Sequence, residues 1–239
     1  MKIAAVCCTF HRPRQLGHLI QCLLKQDYPK SQSELVILDD AGQYGNQQGD
    51  GWRLVSIAHR YATLGEKRNA AAALVSPDVD ALAVWDDDDL YLPWALRASV
   101  AALGEAPWSR PSLVLHHRPG GALAQHKTGG LFHGGWAYRR EVFNRLGGYA
   151  PMNNGEDQQF AGRMSEANIR WADPVALGFQ PFYIYSLGQA AGYHLSNLGP
   201  HGYEKLAARE SHPWIRPSTR RGCSPVANPT WRCHAESTP

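Results

Sequence analysis

Residues 81–93, ALAVWDDDDLYLP, run from an apolar segment straight into four consecutive aspartates, Asp86, Asp87, Asp88 and Asp89. A short apolar run ended by acidic residues reads as a buried strand whose far end emerges into solvent. Four adjacent carboxylates repel one another, and two arrangements relieve the repulsion. A divalent cation can do so, because carboxylate oxygens are the ligands that hard ions such as Mg2+ and Mn2+ prefer. A solvated acidic turn that caps the helix opening near Pro93 can also do so, a role that suits aspartate before a helix and proline in its first turn. The stretch alone leaves both open.

The same design repeats upstream. Residues 2–10, KIAAVCCTF, form an apolar run that ends in Thr9, Phe10, His11 and Arg12, and Pro13 opens a helix to about residue 26 with apolar residues at helical spacing. A second run, 35–38, ends in Asp39 and Asp40, followed by a Gly-, Asn- and Gln-rich segment, 42–51, that reads as a mobile loop. Residues 52–57 suit a third strand, and the alanine-rich 66–75 a helix, with Gly65 supplying the turn before it. Alternating strands and helices predict an α/β domain with a mainly parallel sheet, whose ligands bind beyond the carboxyl ends of the strands. The polar clusters sit at those ends, so three loops converge on one crevice.

The second half changes character. Residues 112–116, 175–177 and 182–184 read as strands, and 129–138, GGLFHGGWAY, as a loop or strand over which a flat ligand could lie. A short helix over 139–146 ends at Gly147 and Gly148, and NNGEDQQFAGRM at 153–164 sets Glu156 and Asp157 at a helix start, where the dipole favours carboxylates. From Pro200 the chain is rich in Pro, Arg, Ser and Trp, an irregular tail.

The 239 residues suit one domain with a tail: 44% are hydrophobic, and no stretch approaches the roughly 20 apolar residues of a membrane span. The N-terminus reads as a first strand, not a signal peptide. Cys7 and Cys8, adjacent on one strand, face opposite ways, which favours reduced thiols in the cytoplasm; Cys223, Cys233 and His234 match no zinc spacing. A net charge of +3 is too small to imply a nucleic-acid partner. From residue 205 onward, however, six basic residues face two acidic ones, about +4 for the tail.

The order TFHRP, DD, LGEKRNAAA, WDDDDLYLP, GGWAYRREVFNRLGGY, GEDQQF and YHLSN resembles the family 2 glycosyltransferases of the GT-A fold, over residues 2–198. The resemblance implies a Rossmann-like, mainly parallel sheet with helices on both faces. It implies a domain over 1–199, with a nucleotide-binding half (1–90), a smaller acceptor-side half (91–199) and the tail (200–239). Thr9, Arg12, Asp39 and Asp40 would line the base and ribose pocket, and Lys67 and Arg68 would meet the nucleotide and its phosphates. WDDDD resembles the DXD motif. Asp88 is then the metal ligand, with Asp86 a second candidate, while Asp86 or Asp87 faces the ribose. The metal, Mn2+ or Mg2+, stabilises the departing nucleotide diphosphate as a Lewis acid. GEDQQF resembles the family's ED motif: Asp157 is the general base of an inverting displacement, and Glu156 binds acceptor or holds position. Trp136 would shape the sugar subsites, and His194 would complete the metal site or touch the diphosphate.

The activity implied is transfer of a sugar from a nucleotide diphosphate sugar, UDP-sugars being the family's commonest donors, to an acceptor hydroxyl. Glycan, glycolipid and even modified nucleic acid are permitted acceptors, and the basic tail with Trp214 and Trp231 could engage an anionic one. Two alternatives are a nucleotidyltransferase, whose Gly-rich phosphate loop TFHRPRQ lacks, and a binding module that has lost catalysis. The expected location is cytoplasmic, with peripheral membrane attachment the alternative.

Overall fold

The computed structural model describes residues 1–117, 123–129 and 132–186. His194 and the tail, with Trp214 and Trp231, lie outside the described residues. In chain order the elements are β1 (Ile3–Thr9), α1 (Pro13–Leu24), β2 (Ser33–Asp39), β3 (Gln47–Gly49), β4 (Trp52–Ser56), α2 (Leu64–Ala73), β5 (Ala81–Val84), β6 (Leu90–Tyr91) and α3 (Ala95–Glu105). They continue with β7 (Trp108–Ser109), β8 (Leu113–His117), β9 (Ala124–Lys127), β10 (Ala137–Arg139), α4 (Arg140–Arg145), α5 (Glu156–Glu166), β11 (Trp171–Ala172) and β12 (Tyr183–Ser186).

Eight strands form the main sheet, in the order β11-β7-β10-β5-β1-β2-β4-β3. The pairs β5-β1, β1-β2, β2-β4 and β11-β7 are parallel, and β10 and β3 run against their neighbours. Side chains alternate along β1 and β2, so Ile3, Ala5, Cys7, Leu35 and Ile37 face α1 and α3 in one apolar cluster. Ala4, Val36, Leu82 and Val84 face the other way, onto Ala72 of α2, Phe143 of α4 and Phe160 and Met164 of α5. Helices thus cover both faces, as expected for a parallel sheet buried on two sides. A smaller sheet, β6-β12-β8-β9, adjoins the acidic strand end.

The helix starts follow local chemistry. Pro13 occupies the first turn of α1. At α2 the Thr63 side chain accepts from the Glu66 N–H while Glu66 reaches back to the Thr63 N–H, a reciprocal cap. The helix therefore begins two residues earlier than expected, and Gly65 lies inside it. Its value is close approach, because a Cβ there would collide with the Ala150 carbonyl oxygen.

Two expectations are corrected. Residues 175–177 form a turn: Asp173 accepts the N–H groups of Val175 at 2.9 Å and Ser112 at 3.0 Å, and Gly178 at φ 91° reverses the chain. The segment 42–51 is anchored. Its Gln47–Gly49 pairs with β4, the Tyr44 N–H donates to Ser56 Oγ at 3.1 Å, and Asn46 Oδ1 accepts the Ser56 N–H at 3.0 Å.

Candidate active site

Strand β1 lies between β5 and β2, so the crossovers leave it in opposite directions and open a crevice at its carboxyl end. The pairing of β1 with β5 stops at Val6↔Val84, where β5 ends and β1 runs on to Thr9. Three residues on, Thr9 Oγ1 donates to Asp87 Oδ2 at 2.6 Å. His11 then takes φ 55°, a left-handed conformation uncommon outside glycine. Beyond it, Arg12 Nη1 donates to Asp87 Oδ1 and Asp88 Oδ2, both at 2.8 Å. Thr9 and Arg12, expected to line the ribose pocket, here fasten the acidic turn.

The rest of that turn is equally tied. Asp86 donates its N–H to Tyr91 Oη at 2.7 Å, and Tyr183 Oη donates to Asp89 Oδ2 at 2.6 Å. Arg68, from α2, donates through Nη1 and Nη2 to Asp86 Oδ1 at 3.3 Å and through Nε to Glu156 Oε1 at 3.2 Å. One guanidinium thus joins the end of β5 to the first turn of α5. Beside the buried Glu156, Asp157 is half-buried and accepts the Gln158 N–H at 2.8 Å. The structure thus gathers two bonded groups, Thr9, Arg12, Asp87 and Asp88 in one and Asp86, Arg68 and Glu156 in the other, joined through the chain at Asp86–Asp87, with Asp157 next to Glu156.

At the end of β2 the two aspartates divide. Asp39 is fully buried and accepts from the Ala41 N–H, the Gln43 N–H and Ser56 Oγ, organising its own loop. Asp40 accepts from Lys67 Nζ, from Arg60 Nη1 at 2.6 Å and from the Tyr61 N–H at 3.3 Å. Lys67, expected to meet phosphates, is buried and also donates to the Thr9 carbonyl, so it locks β1 to β2. Arg60 is half-exposed and lies 3.8 Å from the centre of the Phe10 ring. Trp136 is a correction. At 1% exposure it belongs to the core, edge-on to Trp108 at 5.1 Å and His133 at 5.0 Å, and its ring offers no free face for a sugar.

Among the described residues, the carboxylates of Asp86, Asp87, Asp88 and Glu156 meet the guanidiniums of Arg12 and Arg68, and Asp89 meets the Tyr183 hydroxyl. Burial and the Asp86 charge push the Asp88 carboxyl up to about 7, with Arg12 pulling the other way. Burial also raises Asp87 and Glu156, opposed by Arg12 and Arg68 respectively. For Arg68, burial works against the charge, but Asp86, Cys8, Tyr149 and Glu156 outweigh it and hold the guanidinium protonated.

A hard divalent cation fits this donor set. The oxygens are carboxylates, and the repulsion from Asp86 and Asp87, which adds to burial in lifting Asp88, is what such an ion relieves. Among the described residues no group of three His, Cys, Asp or Glu side chains is arranged to hold a metal, and the expected third ligand, His194, lies outside them. Among the described residues, too, no helix is long and apolar enough to cross a membrane.

Sequence reasoning missed Phe10, Arg60, Tyr91 and Tyr183, and gave Asp89 no role of its own. Tyr183 belongs to a segment legible as a strand and Tyr91 to a short stretch between the aspartates and the helix near Pro93, and their meeting depends on the pairing of β6 with β12, which nothing local announces. Arg60 lies in a loop without a pattern.

No protein-family model matches the chain, and no curated protein matches it. Solved structures do. Residues 1–349 of S. aureus TarS are 17% identical, with a TM-score of 0.63 over 78% of this chain and 60% of that one. The same TarS fragment in complex with UDP-GlcNAc is 16% identical, with a TM-score of 0.65 over 86% and 64%. The mannosyltransferase PcManGT of Pyrobaculum calidifontis, in complex with GDP-Man and Mn2+, is 18% identical, with a TM-score of 0.61 over 81% and 59%. The chain thus spans less than two thirds of each of these structures. Likeness at this identity speaks to architecture, and with the sheet order and the crevice it leads to one conclusion: the chain has the GT-A glycosyltransferase fold.

Proposed function

We propose that this protein is a metal-dependent, inverting glycosyltransferase that moves a sugar from a nucleotide diphosphate sugar, a UDP-sugar first among candidates, to an acceptor hydroxyl. The observation that carries the reading is the Arg68 bridge, which sets the acidic end of β5 and the Glu156–Asp157 turn on one crevice at the switch point of the sheet. TarS with UDP-GlcNAc and PcManGT with GDP-Man and Mn2+ support the donor class and the cation.

Asp86 and Asp88 would hold the cation, with His194 the candidate third ligand. When bound, the cation supplies charge stabilisation to the departing diphosphate. The protein's own groups do the rest. Asp157 accepts the proton of the acceptor hydroxyl as that oxygen bonds to the anomeric carbon and the carbon–oxygen bond to the diphosphate breaks from the opposite face. The bond pair leaves with the nucleotide diphosphate, and the configuration inverts. Glu156, held by Arg68, fixes the α5 turn that carries Asp157. The nucleoside would lie over the ends of β1 and β2, where Phe10 presents an aromatic face and Arg60 is the exposed partner of Asp40. Candidate acceptors are a glycan, a glycolipid or another hydroxyl compound.

The test measures release of nucleotide diphosphate from a panel of UDP- and GDP-sugars, with Mn2+, with Mg2+ and with chelator. Cation-dependent release from at least one donor is expected. No release from any donor would sink the reading.

A further inference from the structure

The acidic turn rests on two tyrosines of the smaller sheet. Tyr91 of β6 stands opposite Tyr183 of β12 in an antiparallel pair. The Tyr91 ring lies between Trp85, at 4.3 Å and nearly parallel, and Tyr183, at 5.5 Å and 22°. This stack brings two phenol hydroxyls beneath one turn, at its opposite ends. Tyr91 Oη accepts the backbone N–H of Asp86, and Tyr183 Oη donates a hydrogen bond to the Asp89 carboxylate. Both rings are buried, at 3% and 2% exposure, and Asp89 is buried at 2%. A third element closes over them. Gly134 lies so near that an added Cβ would stand 2.8 Å from Tyr183 Oη and 3.0 Å from Asp86 Oδ2.

We infer that Tyr183, with Tyr91, is a positioning residue for the cation site at Asp86 and Asp88, acting through the two ends of the turn that carries those carboxylates. The inference rests on the proposed reading of the turn as a cation site. Its physical basis is the direction each aspartate must take. Tyr183 draws Asp89 inward and Thr9 with Arg12 draws Asp87 toward β1, while Tyr91 pins the backbone where the turn begins. With those directions fixed, Asp86 and Asp88 are held in one geometry before a cation arrives. Burial and the Asp89 charge keep the Tyr183 hydroxyl protonated, so it remains a donor. Without that hydroxyl the buried Asp89 carboxylate has one donor fewer, which loosens this end of the turn and with it the neighbouring Asp88. Groups that orient ligands in this way typically change metal affinity by about 10- to 100-fold when lost.

The experiment titrates Mn2+ alone into the full chain, followed by paramagnetic resonance or calorimetry, for the wild type, Tyr183→Phe, Tyr91→Phe and Tyr28→Phe. Tyr28 also donates a hydroxyl bond, to the Met1 carbonyl at 2.6 Å, but stands far from the turn, so its variant registers the general cost of a lost phenol hydroxyl. Tyr183→Phe is expected to weaken Mn2+ binding by roughly tenfold or more and Tyr91→Phe to weaken it less, with Tyr28→Phe at the wild-type value. If Tyr183→Phe fails to fold, Gly134→Ala presses on the Tyr183 hydroxyl and on the Asp86 carboxylate and should weaken Mn2+ binding as well. Wild-type affinity in Tyr183→Phe or in Gly134→Ala overturns the positioning role and leaves the proposed function standing. An absence of Mn2+ binding in the wild type overturns the cation site itself.

Discussion

Arg68 Nε lies 3.2 Å from Glu156 Oε1, a contact between residues 88 positions apart, and the same guanidinium reaches Asp86. Both side chains of the pair are largely buried, at 12% and 6% exposure. Taking one partner from such a pair leaves an uncompensated charge in the interior, at a cost of about 3–5 kcal/mol. Arg68→Ala should therefore lower the free energy of unfolding by that order, and the denaturant midpoint with it. Arg68→Lys should recover part of the loss, because an ammonium keeps the charge without the fork that serves two carboxylates. Equilibrium unfolding in urea decides it, and an Arg68→Ala midpoint equal to wild type would contradict the bridge.

The Asp88 carboxyl gives a pH dependence with a definite sign. Its value of about 7 in the folded chain stands above its ordinary 3.8. Between those values the folded protein holds a proton that the unfolded chain has released, so this group's contribution to stability falls as pH rises from about 4 to about 7. Cation-free wild type should lose more melting temperature between pH 5 and pH 7.5 than Asp88→Asn does. Mn2+ demands the ionised carboxylate, so its apparent affinity should fall as pH drops below about 7. Equal slopes for the two proteins would remove Asp88 from the account.

Lys67 and Asp40 form a second buried pair, at 5% and 1% exposure, that fastens the ends of β1 and β2. Lys67→Met should destabilise by about 3–5 kcal/mol, whereas Lys67→Met with Asp40→Leu should be more stable than the single variant, since an apolar pair leaves no stranded charge. A double variant weaker than Lys67→Met would show that Arg60 and Tyr61, the other partners of Asp40, matter more than the lysine.

How much of this was legible in the sequence follows from what is local. The apolar runs ending in Thr9, Asp39 and Asp86 are local, and so were the parallel sheet and the crevice where those ends meet. Glu156 and Asp157 were legible as a helix start for the same reason. Which side chains face a ligand was not, because burial is decided by distant neighbours. Asp39 turns in to hold its own loop, and Lys67 turns in to Asp40. Trp136 sits in a glycine-rich stretch that suggests exposure, yet Trp108 and His133 enclose it. Tyr183 supports a turn 94 positions earlier, a relationship that only the strand pairing creates. The apolar residues at 175–177 suggested a strand, but Asp173 and Gly178 impose a turn.

The central claim is that Asp157 deprotonates an acceptor in a cation-dependent transfer from a nucleotide sugar. Its most direct test is the rate of nucleotide diphosphate release by Asp157→Asn and by wild type, with saturating Mn2+, the donor found active and a hydroxyl acceptor, or water in that role. Donor affinity is measured alongside. The account predicts a fall in rate of roughly 10²- to 10⁴-fold with donor affinity and melting temperature unchanged. A rate within a few-fold of wild type would contradict it.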